Sequence, residues 1–131
     1  MIGIDTNILT RFFAKDDHLQ TLKARAILAS LTLEKPGWVP LATILELVWV
    51  LTSSFRANRL QVCAVLDELL GREEIVIENA DMIHHAMDMY RRGNADFADC
   101  LISSSARAAG CSKTLTFDKD GAKTAVMTLV Q

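Results

Sequence analysis

The sequence predicts an α/β fold with a mainly parallel sheet in a single domain, residues 1–131. Two observations carry this. Short apolar runs alternate with longer stretches of helical periodicity along the whole chain, the pattern of strands joined by helical crossovers. Half of the 131 residues are hydrophobic, only two are proline, and no linker, repeat or low-complexity stretch divides them, so one core is affordable.

The elements follow in order. Residues 1–5 form a short apolar run ending in Asp5, read as a buried strand that turns into a helix after Thr6 and Asn7. A helix over 19–33 is expected from the spacing of Leu22, Ala26, Ala29 and Leu33, and Pro36 and Gly37 break the chain. Trp38 and Val39 suggest a brief strand. Residues 41–52 form an almost wholly apolar helix with one charge, Glu46, and 60–70 form another helix. The run EIVIE at 74–78 reads as a strand, and 81–92 and 96–109 as helices, the second stopped by Gly110. KTLTFD at 113–118 resembles a strand ending in an aspartate, and 127–130 a last strand, although the closing segment GAKTAVMTLVQ is short.

Composition excludes several classes. No uninterrupted apolar stretch is long enough to cross a bilayer, and MIGIDTN lacks the basic and apolar parts of a signal peptide; the expectation is a soluble, cytoplasmic protein. Cys63, Cys100 and Cys111 are odd in number and lack C-x-x-C spacing, which fits reduced, mostly buried thiols. A net charge of −2 gives no global attraction for nucleic acid. Local cationic candidates are Arg11 with Lys15, Arg56 with Arg59, and Arg91 with Arg92, unless these are ordinary surface charges. P-loop, dinucleotide and G-x-S-x-G motifs are absent, and His18, His84 and His85 read as surface or packing residues.

The chemistry-bearing signal is acidic. Asp5 and Asp118 end predicted strands, and in parallel sheets ligands bind beyond the strands' carboxyl ends; an aspartate there also serves as a helix cap. Glu46 lies in LATILELVWVL, where a buried carboxylate needs a cation, an arginine, a proton or an exposed edge. Asp96 and Asp99 open the helix FADCLISSSARAAG with capping spacing, which accounts for Asp96 better than for Asp99. If Asp5, Glu46, Asp99 and Asp118 converge, like charges about 4 Å apart repel by roughly 4 kcal/mol per pair at an effective dielectric near 20. A hard divalent ion, Mg²⁺ or Mn²⁺, would resolve that and suit phosphodiester hydrolysis.

IDTNILTRF from Ile4, LATILELVWVL from Leu41, DFADCLISSSARAAG from Asp96 and TLTFDKD from Thr114 together resemble the PIN-domain nucleases, and within them the VapC-like toxins of toxin-antitoxin pairs. The resemblance implies a three-layer α/β/α sandwich with a mostly parallel central sheet and Mg²⁺- or Mn²⁺-dependent RNA cleavage. It makes Asp5, Glu46, Asp99 and Asp118 the catalytic and metal-binding quartet. Asn7 and Thr116 become polar supports for Asp5 and Asp118, Asp96 a metal ligand or helix cap, and Asp120 an outer carboxylate. It also implies an RNA substrate, a cognate antitoxin and a homodimer. The rival is a PIN-like scaffold that has lost catalysis and serves RNA binding or assembly.

Overall fold

The computed structural model describes residues 1–124 and 127–131. The chain divides into two compact units, Met1–Glu78 and Asn79–Gln131.

In the first unit, β1 (Ile2–Gly3), β2 (Gly37–Val39) and β3 (Ile75–Ile77) pair in parallel in that order, with Gly3 opposite Trp38 and Val39 opposite Ile77. Helices α1 (Thr6–Ala14) and α2 (His18–Ser30) link the first two strands, and α3 (Leu41–Ser53) and α4 (Arg59–Leu70) the next two. Connections of this length are what parallel neighbours require. Leu9, Val39, Ile44, Leu47, Val62, Leu66 and Leu69 are fully buried and form the core. Asp5 follows β1, Pro40 follows β2 and Glu78 follows β3, so all three stand at the carboxyl ends of the strands.

Helix α3 begins at Pro40, which supplies no side-chain cap. Its orphan amide is met from elsewhere in the sheet: the Leu41 N–H donates to Glu78 Oε1 at 2.8 Å. The Thr43 hydroxyl donates to the Ile4 carbonyl at 3.3 Å, pinning α3 beside the residue that precedes Asp5. Helix α4 carries a complete capping box between Asn58 and Gln61.

The second unit contains α5 (Ala80–Arg92), α6 (Phe97–Ala108) and the parallel pair β4 (Leu115–Thr116) and β5 (Thr128–Leu129), with α7 (Lys119–Thr124) between the strands. Buried Ile83, Ala86, Met87 and Tyr90 of α5 pack with Phe97, Cys100 and Leu101 of α6. The Tyr90 and Phe97 rings meet edge to face, 5.7 Å between centroids. Helix α6 stops where expected, with Gly110 at φ +91°, a left-handed position suited to glycine.

Among the described residues every strand pairing is parallel and strands alternate with helices, so the α/β class read from the sequence is borne out. Three local expectations are corrected. The first strand is not buried: both its residues are exposed, Ile2 at 56%, and only Ile4 beyond it turns inward. Helix α2 buries Thr21, Ala24 and Leu28, not the stripe containing Leu22 and Leu33. Apolar residues occupy both of its sides. Ala24 is small enough for close packing, and the Thr21 hydroxyl donates to the Arg11 carbonyl at 3.0 Å. The helix also ends at Ser30, because Leu31 is extended and leaves Leu33 outside it. Helix α7, finally, was not expected from the sequence.

Cys63 and Cys100 are buried free thiols and Cys111 is an exposed one. Among the described residues, no helix is long and apolar enough to cross a membrane.

Candidate active-site carboxylates

Asp5 caps α1: its backbone is extended, and its Oδ1 accepts from the Thr6 N–H at 2.7 Å. The side chain is exposed. Asp5 and Glu46 line one cavity of about 420 Å³ in the first unit, with Asn7, Arg11, Asp16 and Phe55. Glu46 lies on the exposed side of α3, while Thr43, Ile44, Leu47, Val48 and Leu51 face the core. Of the four ways a carboxylate could survive in that apolar helix, exposure is the one found. Its helix neighbour Trp49 is 65% exposed.

Arg11 is the one cation among the described residues that line this cavity, and it is engaged elsewhere. Its Nη1 bonds both carboxylate oxygens of Asp16, at 2.7 and 2.9 Å, and its Nε bonds Gln20 Oε1 at 2.5 Å. Neither Asp5 nor Glu46 has an ion-pair partner among the described residues. Asn7 shares the cavity but makes no hydrogen bond to Asp5; the Thr6 amide holds that carboxylate instead.

The second unit holds the other acidic group. Asp96 caps α6, its Oδ1 accepting from the Asp99 N–H at 2.8 Å. Asp99 is half-buried in the first turn. Its carboxyl is pushed above the ordinary value by desolvation first, then by the charges of Asp96 and Asp118. Asp118 is exposed just beyond β4. Its N–H donates to Thr116 Oγ1 at 3.0 Å and its Oδ1 accepts from the Asp120 N–H at 2.9 Å. Thr116 therefore steadies the backbone of Asp118 rather than its carboxylate. Asp120 contributes its amide there.

Both groups offer hard oxygen donors, and among the described residues no cation offsets the burial and like charges acting on Asp99, so their chemistry fits Mg²⁺ or Mn²⁺. Within neither unit, among the described residues, do three Asp, Glu, His or Cys side chains come together to hold a metal ion. Four residues that sequence reasoning passed over shape these sites: Glu78 and Thr43 set the start of α3, and Asp16 and Gln20 hold Arg11. Only the Asp17 cap of α2, one residue from Asp16, hints at that corner in the sequence.

A family model for the PIN domain matches residues 2–127, and the chain belongs to the PIN-domain family. Its likeness within that family is to VapC proteins. It is similar to a VapC ribonuclease of Aquifex aeolicus (strain VF5), 26% identical over 117 residues that span 88% of this chain and 86% of that protein. It is also similar to the crystal structure of Mycobacterium tuberculosis VapC20, a sarcin-ricin loop cleaving toxin, at 18% identity and a TM-score of 0.47, covering 99% of this chain and 98% of that one.

Proposed function

We propose that this chain is a divalent-metal-dependent endoribonuclease, a single PIN-type nuclease domain acting as the toxin of a toxin-antitoxin pair. The observation that carries the reading is the family match over residues 2–127 of a chain whose Asp5, Glu46, Asp99 and Asp118 have no ion-pair partner among the described residues. These four are the proposed catalytic and metal-holding carboxylates. Mg²⁺ or Mn²⁺ bound there would lower the pKa of a water and offset charge on the phosphate.

The chain's own residues do the positioning. The Thr6 amide holds one oxygen of Asp5, leaving the other for a ligand. Thr43 and Glu78 fix the first turn of α3, from which Glu46 projects one turn later. Asp96 orders the first turn of α6 and so sets Asp99. One carboxylate of the set would orient or deprotonate the attacking water. A cognate antitoxin and a homodimeric, cytoplasmic state belong to the same reading, carried by the VapC likeness.

Purified protein is expected to cleave RNA with Mg²⁺ or Mn²⁺ and to stop on chelation. Asp5→Asn removes a charged oxygen while keeping a cap for α1, so it should cost at least a hundredfold in rate with an unchanged circular dichroism spectrum. Full activity in that variant rules out the proposed role of Asp5. RNA binding without any divalent-ion binding in calorimetry would instead favour a non-catalytic PIN-like module.

A further inference from the structure

A cavity of about 850 Å³ in the second unit lies between α5 and α6, away from the first turn of α6 that carries Asp99. Its chemistry differs from that of the carboxylate groups. Arg92 at the end of α5 and Arg107 in the last turn of α6 both line it, with the hydroxyl-bearing Ser103 and the amide of Asn94. Asp88, the acidic residue among the described lining, stands 3.7 Å from Arg91. Neither Arg92 nor Arg107 has an ion-pair partner among the described residues, and both are exposed. Ser103 and Arg107 also line the adjoining cavity of about 420 Å³, which adds Lys113.

Helix α6 thus has a polarity along its length. Asp99, Ser103 and Arg107 follow at intervals of four, so they succeed one another along one side of the helix. From Asp99 to Arg107 the rise is about 12 Å. A chain of phosphates whose scissile member lay at the acidic end would present further phosphates to the basic end. Guanidinium groups bind phosphate oxygens bidentately, and hydroxyl and amide donors complete such contacts.

We propose that this α5–α6 groove is a track for the RNA backbone, in which Arg92 and Arg107 hold phosphates flanking the cleaved bond. This rests on the ribonuclease reading and adds to it the surface that binds the strand. The contacts are to phosphate rather than to bases, so the track contributes affinity and direction without sequence preference.

The test measures binding in EDTA, where no metal-dependent cleavage intervenes. Fluorescence anisotropy of a labelled single-stranded RNA oligonucleotide is followed from 50 to 200 mM salt for the full chain and for Arg92→Gln/Arg107→Gln. Two lost phosphate contacts should flatten the log–log salt slope by about 1.4, so the variant's affinity should fall about sevenfold less across that range. The Arg92→Lys/Arg107→Lys protein should keep the parental slope, because the charges remain. An unchanged slope in the glutamine variant overturns the track. So does a variant that loses binding to polyglutamate but not to RNA, which would assign the groove to an acidic protein partner. Parental protein that shows the expected slopes but cleaves no RNA in Mg²⁺ counts against the nuclease reading alone.

Discussion

Asp99 shows how one position bears opposing forces. In the first turn of α6 the helix dipole favours its negative charge, yet partial burial and the neighbouring Asp96 and Asp118 outweigh that and raise its proton affinity. A carboxyl whose pKa is higher folded than unfolded costs stability once pH exceeds the folded value, and costs none below the unfolded one. Asp99→Asn should therefore melt above the parent at pH 7 in chelator, and the difference should vanish by about pH 3, below the ordinary aspartate value. A variant less stable at both pH values would contradict this. Glu78 acts in the opposite sense, since its carboxylate satisfies the amide that Pro40 leaves without a cap. Glu78→Ala should lower the urea-unfolding free energy by about 1 kcal/mol.

Among the elements, legibility followed how many forces agreed. Helix α6 was readable at both ends: Asp96 caps its start, Gly110 ends it at φ +91°, and Tyr90 and Phe97 bury its inner face. Gly110→Ala places a Cβ in that left-handed conformation and should cost roughly 1 kcal/mol by chemical denaturation. Helix α2 was located, but its face was misread, because Leu22 and Ile27 lie outward and a threonine lies inward. A period alone does not choose between two apolar stripes; the partner surface on α1 does. Strand β1 was found at its place but assigned the wrong burial, since which strands and helices cover it depends on tertiary packing, which no local pattern encodes. Helix α7 was missed because KDGAKT has neither an apolar stripe nor a good helix former at Gly121.

At the scale of the whole molecule, the sequence disclosed the acidic residues better than their surroundings. Asp5 and Asp118 follow strand ends as expected, and Asp96 caps its helix. The argument for Glu46 rested on the cost of burying a charge, and the exposed position of that residue removes the cost while leaving it on the same cavity as Asp5. Arg107 went unremarked because a basic last turn is ordinary; its interest arises only once α5 brings Arg92 to the same groove. The proposed ion binding also has a global readout. Mg²⁺ at ten times its dissociation constant should stabilise the fold by about 1.4 kcal/mol, raising the thermal midpoint, and Asp5→Asn should abolish most of that gain. An identical Mg²⁺ shift in both proteins would place the ion elsewhere.

The bond from Leu41 to Glu78 spans 37 residues, the whole of α3, α4 and β3. A contact that closes so long a loop forms only after the third strand docks, so the first turn of α3 waits uncapped until late in folding. Its loss should then appear almost wholly as faster unfolding, with the refolding limb of the chevron nearly unmoved. The carboxylate at the end of β3 is in that sense a latch, governing how long the native state persists rather than how quickly it is reached.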